Sequence, residues 1–119
     1  MKIVVCIKQV PERDARLRIG SDGRSIDETG VATEINESDQ YALEAGLRLA
    51  ESQGGEVVAL CLGTDKSEES IRRALAMGAA RAIHLNDPAF QGGDAAATGR
   101  ALAAAIAAED GVDLVLSGL

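Results

Sequence analysis

The chain has 119 residues, with 19 Asp plus Glu against 12 Lys plus Arg for a formal net charge of −7, and this length suits about one domain of roughly 100–150 residues. Apolar residues make up 46% and aromatics only 2%, namely Tyr41 and Phe90 with no Trp. That balance calls for an aliphatic core and excludes nucleic-acid binding, which needs phosphate-neutralising cations and stacking platforms; it also offers no aromatic sandwich for a flavin or nicotinamide ring.

The first run, Ile3 to Val10, is apolar nearly throughout, the mark of a strand covered on both faces. Residues 11–37 follow as a long, charged stretch dotted with Gly20, Gly23 and Gly30. Within it Leu17-Arg18-Ile19 and Arg24-Ser25-Ile26 flank a Gly-Ser-Asp-Gly turn, which reads as a hairpin, and Val31 to Ile35 reads as a further short strand. A loop this long is functional or an inconsequential surface insertion. A helix is expected from about Ser38 to Gln53, with Leu43, Leu47 and Ala50 on one face and Gly54-Gly55 as its stop. Glu56 to Leu62 is a second strand. Asp65 with Glu68 three residues later predicts a capped helix from about Lys66 to Met77, with Ile71 and Leu75 as its seam and Gly78 as its end. A third strand, Arg81 to Leu85, leads to an alanine-rich helix from about Asp94 to Glu109 that carries Leu102 and Ile106. The last strand is Val112 to Ser117. Alternation of this kind predicts an α/β fold, a parallel sheet with right-handed helical crossovers.

The spacing assembles no catalytic group and no metal site. His84, the only histidine, lies inside a strand run and reads as structural. Cys6 and Cys61 lie far apart in apolar runs, and they suit packing in a reduced, cytoplasmic interior better than a disulfide or a nucleophile. No apolar run approaches the roughly 18 residues of a membrane span, and the segment from Met1 has no signal-peptide layout. Neither G-x-G-x-x-G nor G-x-x-x-x-G-K-[ST] occurs. Weaker signals remain at strand ends: Leu62-Gly63-Thr64-Asp65, Ser117-Gly118, Lys8, and the run Asn36-Glu37-Ser38-Asp39 at a helix start. Glycine lets backbone amides approach a ligand, and a helix N-terminus favours anions. The run at 36–39 is equally compatible with simple capping. In open α/β sheets ligands bind beyond the carboxyl ends of strands, and the chain stops just there, which predicts a piece of a larger protein.

Particular residue strings carry a resemblance. Val5-Cys6-Ile7-Lys8-Gln9-Val10-Pro11 resembles the opening V-x-[VI]-K-x-V segment of electron transfer flavoprotein β-subunits. Asn36, then Asp39 through Leu49, is similar to that family's N-P-x-[CD]-x-x-A-[VL]-E-x-A-x-[RK]-L helix start. Ser70 to Leu85 is similar to its I-R-x-A-L-A-M-G-A-D-R-[AG]-[IV]-H block, and Val112 to Gly118 to its V-D-L-[VI]-[LF]-x-G strand. The match runs in order along nearly the whole chain and covers about the first half of such a subunit.

The resemblance implies a three-layer adenine-nucleotide-binding domain, incomplete here. Residues 1–119 would form its N-terminal part, with a hairpin or loop insertion at 11–37. It implies a non-catalytic electron-carrier subunit that holds a structural AMP, or FAD in electron-bifurcating relatives. The subunit would pair with an α-subunit bearing the redox FAD, fed by flavin dehydrogenases and drained by a quinone-linked oxidoreductase. Carried over by position, the nucleotide contacts fall on Cys6, on Asn36, Glu37, Ser38 and Asp39, on Leu62, and on Gly118 and Leu119. Two positions depart from the family: Glu37 stands where a Pro follows the Asn, and Ala80 stands where the M-G-A-D-R block has Asp. A universal-stress-type ATP-binding regulator shares the α/β layout and is the alternative.

Overall fold

A computed structural model describes residues 1–119. In chain order the elements are β1 (Lys2–Ile7), β2 (Gln9–Pro11), β3 (Arg18–Ile19), β4 (Ile26–Asp27), β5 (Thr33–Ile35), α1 (Glu37–Gln53), β6 (Glu56–Leu62), α2 (Glu68–Met77), β7 (Arg81–Leu85), α3 (Ala95–Ala108) and β8 (Leu114–Ser117). Four of them form one parallel sheet in the order β7-β6-β1-β8. The two central strands carry the continuous apolar runs: Ile3, Val4, Val5, Val58 and Ala59 are wholly buried. A strand covered on both faces has no solvent side on which to place a polar residue.

Two helices cover one face and the third covers the other. Leu43 and Ala50 of α1 and Ile71 and Ala74 of α2 pack on Ile3, Val5, Val57 and Ala59. On the opposite face Leu102, Ala105 and Ile106 of α3 meet Val4, Val58 and Leu60. Helix α1 approaches closely because Gly46 faces the sheet: a Cβ there would lie 3.0 Å from Val5 Cγ2 and 3.5 Å from Leu116 Cδ1. Gly54 (φ 74°) and Gly78 (φ 131°) end α1 and α2 in conformations that side-chain-bearing residues avoid.

Several local expectations change. The run from Ile3 to Val10 is not one strand. It breaks at Lys8, whose N–H leaves the sheet to donate to Asp39 Oδ2 at 3.0 Å, and β2 then pairs antiparallel with β5 in a separate two-stranded sheet. Asp65 does not cap α2. It lies in a 3₁₀ turn, Asp65–Ser67, and accepts a hydrogen bond from Asn86 Nδ2 at 2.5 Å. That turn shifts the buried seam of α2 to Ser70, Ile71 and Ala74, leaving Leu75 40% exposed. A side-chain cap is found instead at α3, where Asp94 accepts from Ala97 N–H at 2.8 Å. The last strand starts at Leu114, two residues later than its apolar run, because Asp113 turns its carboxylate onto Lys2 N–H at 2.8 Å.

The two edges of the sheet differ. At the amino edge Lys2 Nζ donates to Asp110 O at 2.6 Å and to Glu109 Oε1 at 3.3 Å, and Arg81 pairs with the same Glu109. This ionic clasp closes that end. The β3–β4 hairpin projects from the body, so the radius of gyration, 14.9 Å, exceeds the roughly 13.5 Å of a compact chain of this length.

Candidate functional site

From β1 the chain winds through β6 to β7 on one side, then returns across the sheet to place β8 on the other. The carboxyl ends of β1 and β8 therefore flank the point where the winding direction reverses, and in open α/β sheets such a point opens a crevice that takes ligands. Three residue groups converge there: the ends of β1 and β8 and the start of α1.

Asp39 is the joint between them. It is 5% exposed, and its two carboxylate oxygens take different strands: Oδ2 accepts from Lys8 N–H and Oδ1 from Gly118 N–H, each at 3.0 Å. One carboxylate thus fixes the spacing of the two strand ends across the reversal. The neighbouring side chains add a second layer. Ser38 Oγ accepts from Leu119 N–H at 2.9 Å, and Asn36 Nδ2 donates to Ser38 Oγ at 3.0 Å and to Leu119 O at 3.2 Å. Asn36 N–H donates to Lys8 O at 2.9 Å.

The run at 36–39 is thus not a simple cap. Asn36 stands at the N-cap of α1 without a side-chain capping bond, because its amide is spent on the end of the chain beyond β8. Gly118 has to be glycine for steric reasons. A Cβ on it would lie 2.5 Å from Asp39 N, Asp39 Oδ1 and Ser38 C.

The other residues singled out from sequence fall around this joint. Cys6 lies one position before the end of β1, opposite Ser117 in register. Leu62 ends β6 on the far side of β1 and lines a separate hollow of about 460 Å³ with Gln9, Thr33 and Lys66. Glu37 opens α1 but faces a hollow shared with Arg13 and Tyr41, away from the strand ends. Asn36, Ser38, Asp39, Gly118 and Leu119 are therefore bonded together, Cys6 adjoins them, and Leu62 and Glu37 stand apart. Lys8 acts through its backbone and not its ammonium group. His84 is satisfied structurally, with Nε2 3.0 Å from Gly63 O, which holds the loop after β6 against β7.

Both thiols are unsuited to nucleophilic work. Burial, with the Asp39 charge adding to it, raises the Cys6 pKa. Burial pushes Cys61 up to about 11 from the ordinary 9.0. A raised folded value leaves stability untouched below pH 9 and erodes it as the pH climbs from 9 towards 11, where an unfolded chain releases the proton and the folded one retains it. Cys61 is expected to resist a disulfide reagent at pH 8 until denaturant is added. Labelling of Cys61 in the native protein as fast as in the unfolded one would contradict the burial.

No grouping of three or more His, Cys, Asp or Glu side chains is placed to hold a metal ion, and no helix is long and apolar enough to cross a membrane. The surroundings of the joint are polar and carry negative charge at the start of α1. The N–H groups of Glu37 and Ser38 stand free at the start of α1, as the first donors of a helix do, but the first turn carries Glu37 and Asp39. That negative charge disfavours an anion there.

Comparisons with known proteins agree with this layout. A family model described as the electron transfer flavoprotein domain matches residues 24–119. The chain is 48% identical over 106 residues to Protein FixA of Azorhizobium caulinodans, covering 89% of this chain and 37% of that protein. It is 42% identical over 106 residues to the electron transfer flavoprotein subunit beta of Thermoanaerobacterium thermosaccharolyticum, covering 89% and 40%. Against the caffeyl-CoA reductase-Etf complex subunit CarD of Acetobacterium woodii it is 41% identical over 119 residues, covering 99% and 45%. The chain spans less than half the length of each of these relatives.

Proposed function

This chain belongs to the electron transfer flavoprotein family, as the N-terminal portion of a β-type subunit, and on that footing we propose that its crevice holds the nucleoside part of an adenine nucleotide. The observation that carries the reading is the joint at the winding reversal, where Asn36, Ser38, Asp39 and Gly118 tie two strand ends to one helix start. Membership of this family displaces the universal-stress alternative.

AMP is the proposed occupant, with FAD taking its place if the protein is of the electron-bifurcating kind. AMP supplies no electron chemistry; when bound it fills the crevice and braces the strand ends. The chain's own contribution is placement. Asn36 keeps its Oδ1 as an acceptor while its amide and the Ser38 hydroxyl hold Leu119 in place, Cys6 lends backbone at the end of β1, and the acidic first turn of α1 steers phosphates elsewhere. Leu62 borders the neighbouring hollow. Such a domain is a binding and scaffolding module, not a catalyst. The whole protein would carry electrons in partnership with a flavin-bearing α-type subunit, drawing on flavin dehydrogenases and delivering to a quinone-linked acceptor.

Calorimetry of the full-length protein with AMP and with FAD tests the reading. Saturable one-to-one binding of either is the expected result, and affinity for neither overturns it. Co-purification of a flavin-bearing subunit tests the pairing separately.

A further inference from the structure

We propose that Asp110–Gly111 is a modification site, where isoaspartate forms spontaneously in the native protein, whereas the same dipeptide at Asp22–Gly23 is shielded by its own turn. The chemistry is internal to the chain and needs only water. The Gly111 amide nitrogen attacks Asp110 Cγ, a C–N bond forms, and the carboxyl hydroxyl leaves as water with the amide proton. Water then adds to the α-carbonyl of the succinimide and breaks its bond to nitrogen. The chain now runs through Cγ, the α-carboxylate hangs free, and the overall composition is unchanged. Glycine is the permissive neighbour for this ring closure, having no Cβ to crowd it.

Asp-Gly occurs twice in the chain, so the comparison is internal. Both dipeptides are exposed, and both glycines have φ of 70°. What separates them is hydrogen bonding.

At 22–23 both reacting groups are occupied. Gly23 N–H donates to Gly20 O at 3.0 Å. The Asp22 carboxylate accepts from Arg24 N–H at 2.9 Å, Ser25 N–H at 3.0 Å and Ser25 Oγ at 2.8 Å. These donors, Arg24 N–H foremost, hold the Asp22 pKa down to about 2, so the neutral carboxyl, whose hydroxyl can leave, is scarce. Turning Cγ towards the Gly23 nitrogen would also break all three bonds.

At 110–111 neither group is occupied. Gly111 N–H has no acceptor in the protein, and the Asp110 carboxylate joins no hydrogen bond or ion pair. Only the main-chain oxygen of Asp110 is engaged, by Lys2 Nζ at 2.6 Å. That contact favours the reaction twice. An ammonium on the carbonyl oxygen helps the nitrogen of the same peptide group give up its proton. In the succinimide it stabilises the charge that develops when water attacks the α-carbonyl, which is the opening that yields isoaspartate.

The product changes the amino edge of the sheet. Lys2 would face a free carboxylate, and the link from Glu109 to Asp113 would gain one main-chain atom. That link is pinned at its far end, where Asp113 accepts from Lys2 N–H at 2.8 Å and donates its own N–H to Lys2 O at 2.9 Å. The pairing of β8 with β1 should therefore loosen from this end.

The test ages the full-length protein for weeks at neutral pH, folded and in urea. Isoaspartate is then located by peptide mapping with a protease that cuts before aspartate and not before isoaspartate. The expected result is at least tenfold more isoaspartate at 110 than at 22 in the folded protein, and similar amounts at both in urea. Asp110→Glu should abolish the signal of its peptide, since closing the larger ring is far slower. Equal amounts at the two sites in the folded protein, or more at 22, overturn the proposal. So does a tenfold contrast that persists in urea, which would tie it to sequence and not to the turns. Isoaspartate in that peptide after Asp110→Glu moves the site off Asp110 and overturns it as well.

Discussion

Replacing Asp39 with alanine is expected to lower the folding stability of the full-length protein by about 2–4 kcal/mol, and its nucleotide affinity by tenfold or more. The stability figure follows from what is left behind: the N–H groups of Lys8 and Gly118 lose their acceptor in a poorly solvated site, at about 1–3 kcal/mol each. The affinity loss follows from geometry, since without the carboxylate nothing fixes the separation of the two strand ends that flank the crevice. Asp39→Asn sharpens the test. An asparagine has one acceptor oxygen where the carboxylate has two, and its NH₂ would face one of the two N–H donors. It is therefore expected to be nearly as damaging as alanine, although it keeps size and polarity. Ser38→Ala removes bonds to the exposed Leu119 and should cost only about 0.5–1.5 kcal/mol. Urea unfolding followed by far-ultraviolet circular dichroism measures all three, because a chain region without Trp gives little fluorescence signal. An Asp39→Ala protein that unfolds like wild type and binds AMP as tightly would remove the joint from the account.

The layer architecture was legible because apolar periodicity is a local property. Continuous runs at 3–7 and 56–62 and seams such as Leu43 with Ala50 report burial without reference to the rest of the chain. The misreadings share the opposite character. Lys8 ends a strand because a carboxylate 31 residues away takes its N–H, and no window around Lys8 contains that fact. Asp65 has the spacing of a cap, but its carboxylate is claimed by Asn86 from the next strand's loop. Leu75 has helical spacing from Ile71, yet the 3₁₀ turn before α2 rotates it outward. For the site, Asn36 to Asp39 were visible as short polar residues at a helix start, which is also what capping looks like. What separates the two roles is the partner. A cap serves its own helix, whereas Asp39 and Ser38 serve β1 and the segment after β8. The sequence shows only an acid at the third position of that helix; its burial and its two strand-end partners appear in the structure alone.

The same joint predicts the effect of Gly118→Ala, the second large change. The added methyl would sit 2.5 Å from Asp39 N, Asp39 Oδ1 and Ser38 C. Two of those atoms are backbone of the first turn of α1, so relief requires the helix or the end of β8 to move, and α1 is pinned to the sheet at Gly46. Overpacking of this kind costs about 1–3 kcal/mol, to which the lengthened Gly118 N–H bond to Asp39 adds; AMP affinity should fall with it. Gly99→Ala is the control: it lies in the exposed interior of α3 with nothing within 4 Å of the new Cβ, and it should stabilise by about 0.5–1 kcal/mol. Combining Gly118→Ala with Asp39→Ala then separates the two functions of the contact. Removing the carboxylate eliminates one clash and the bond that Gly118 would have strained, but leaves the clash with Asp39 N and Ser38 C. The double variant should therefore lose less than the sum of the singles, with a coupling of about 1 kcal/mol. Strict additivity would mean that Gly118 meets α1 without involving the Asp39 side chain, and that the strand end is held by the helix backbone alone.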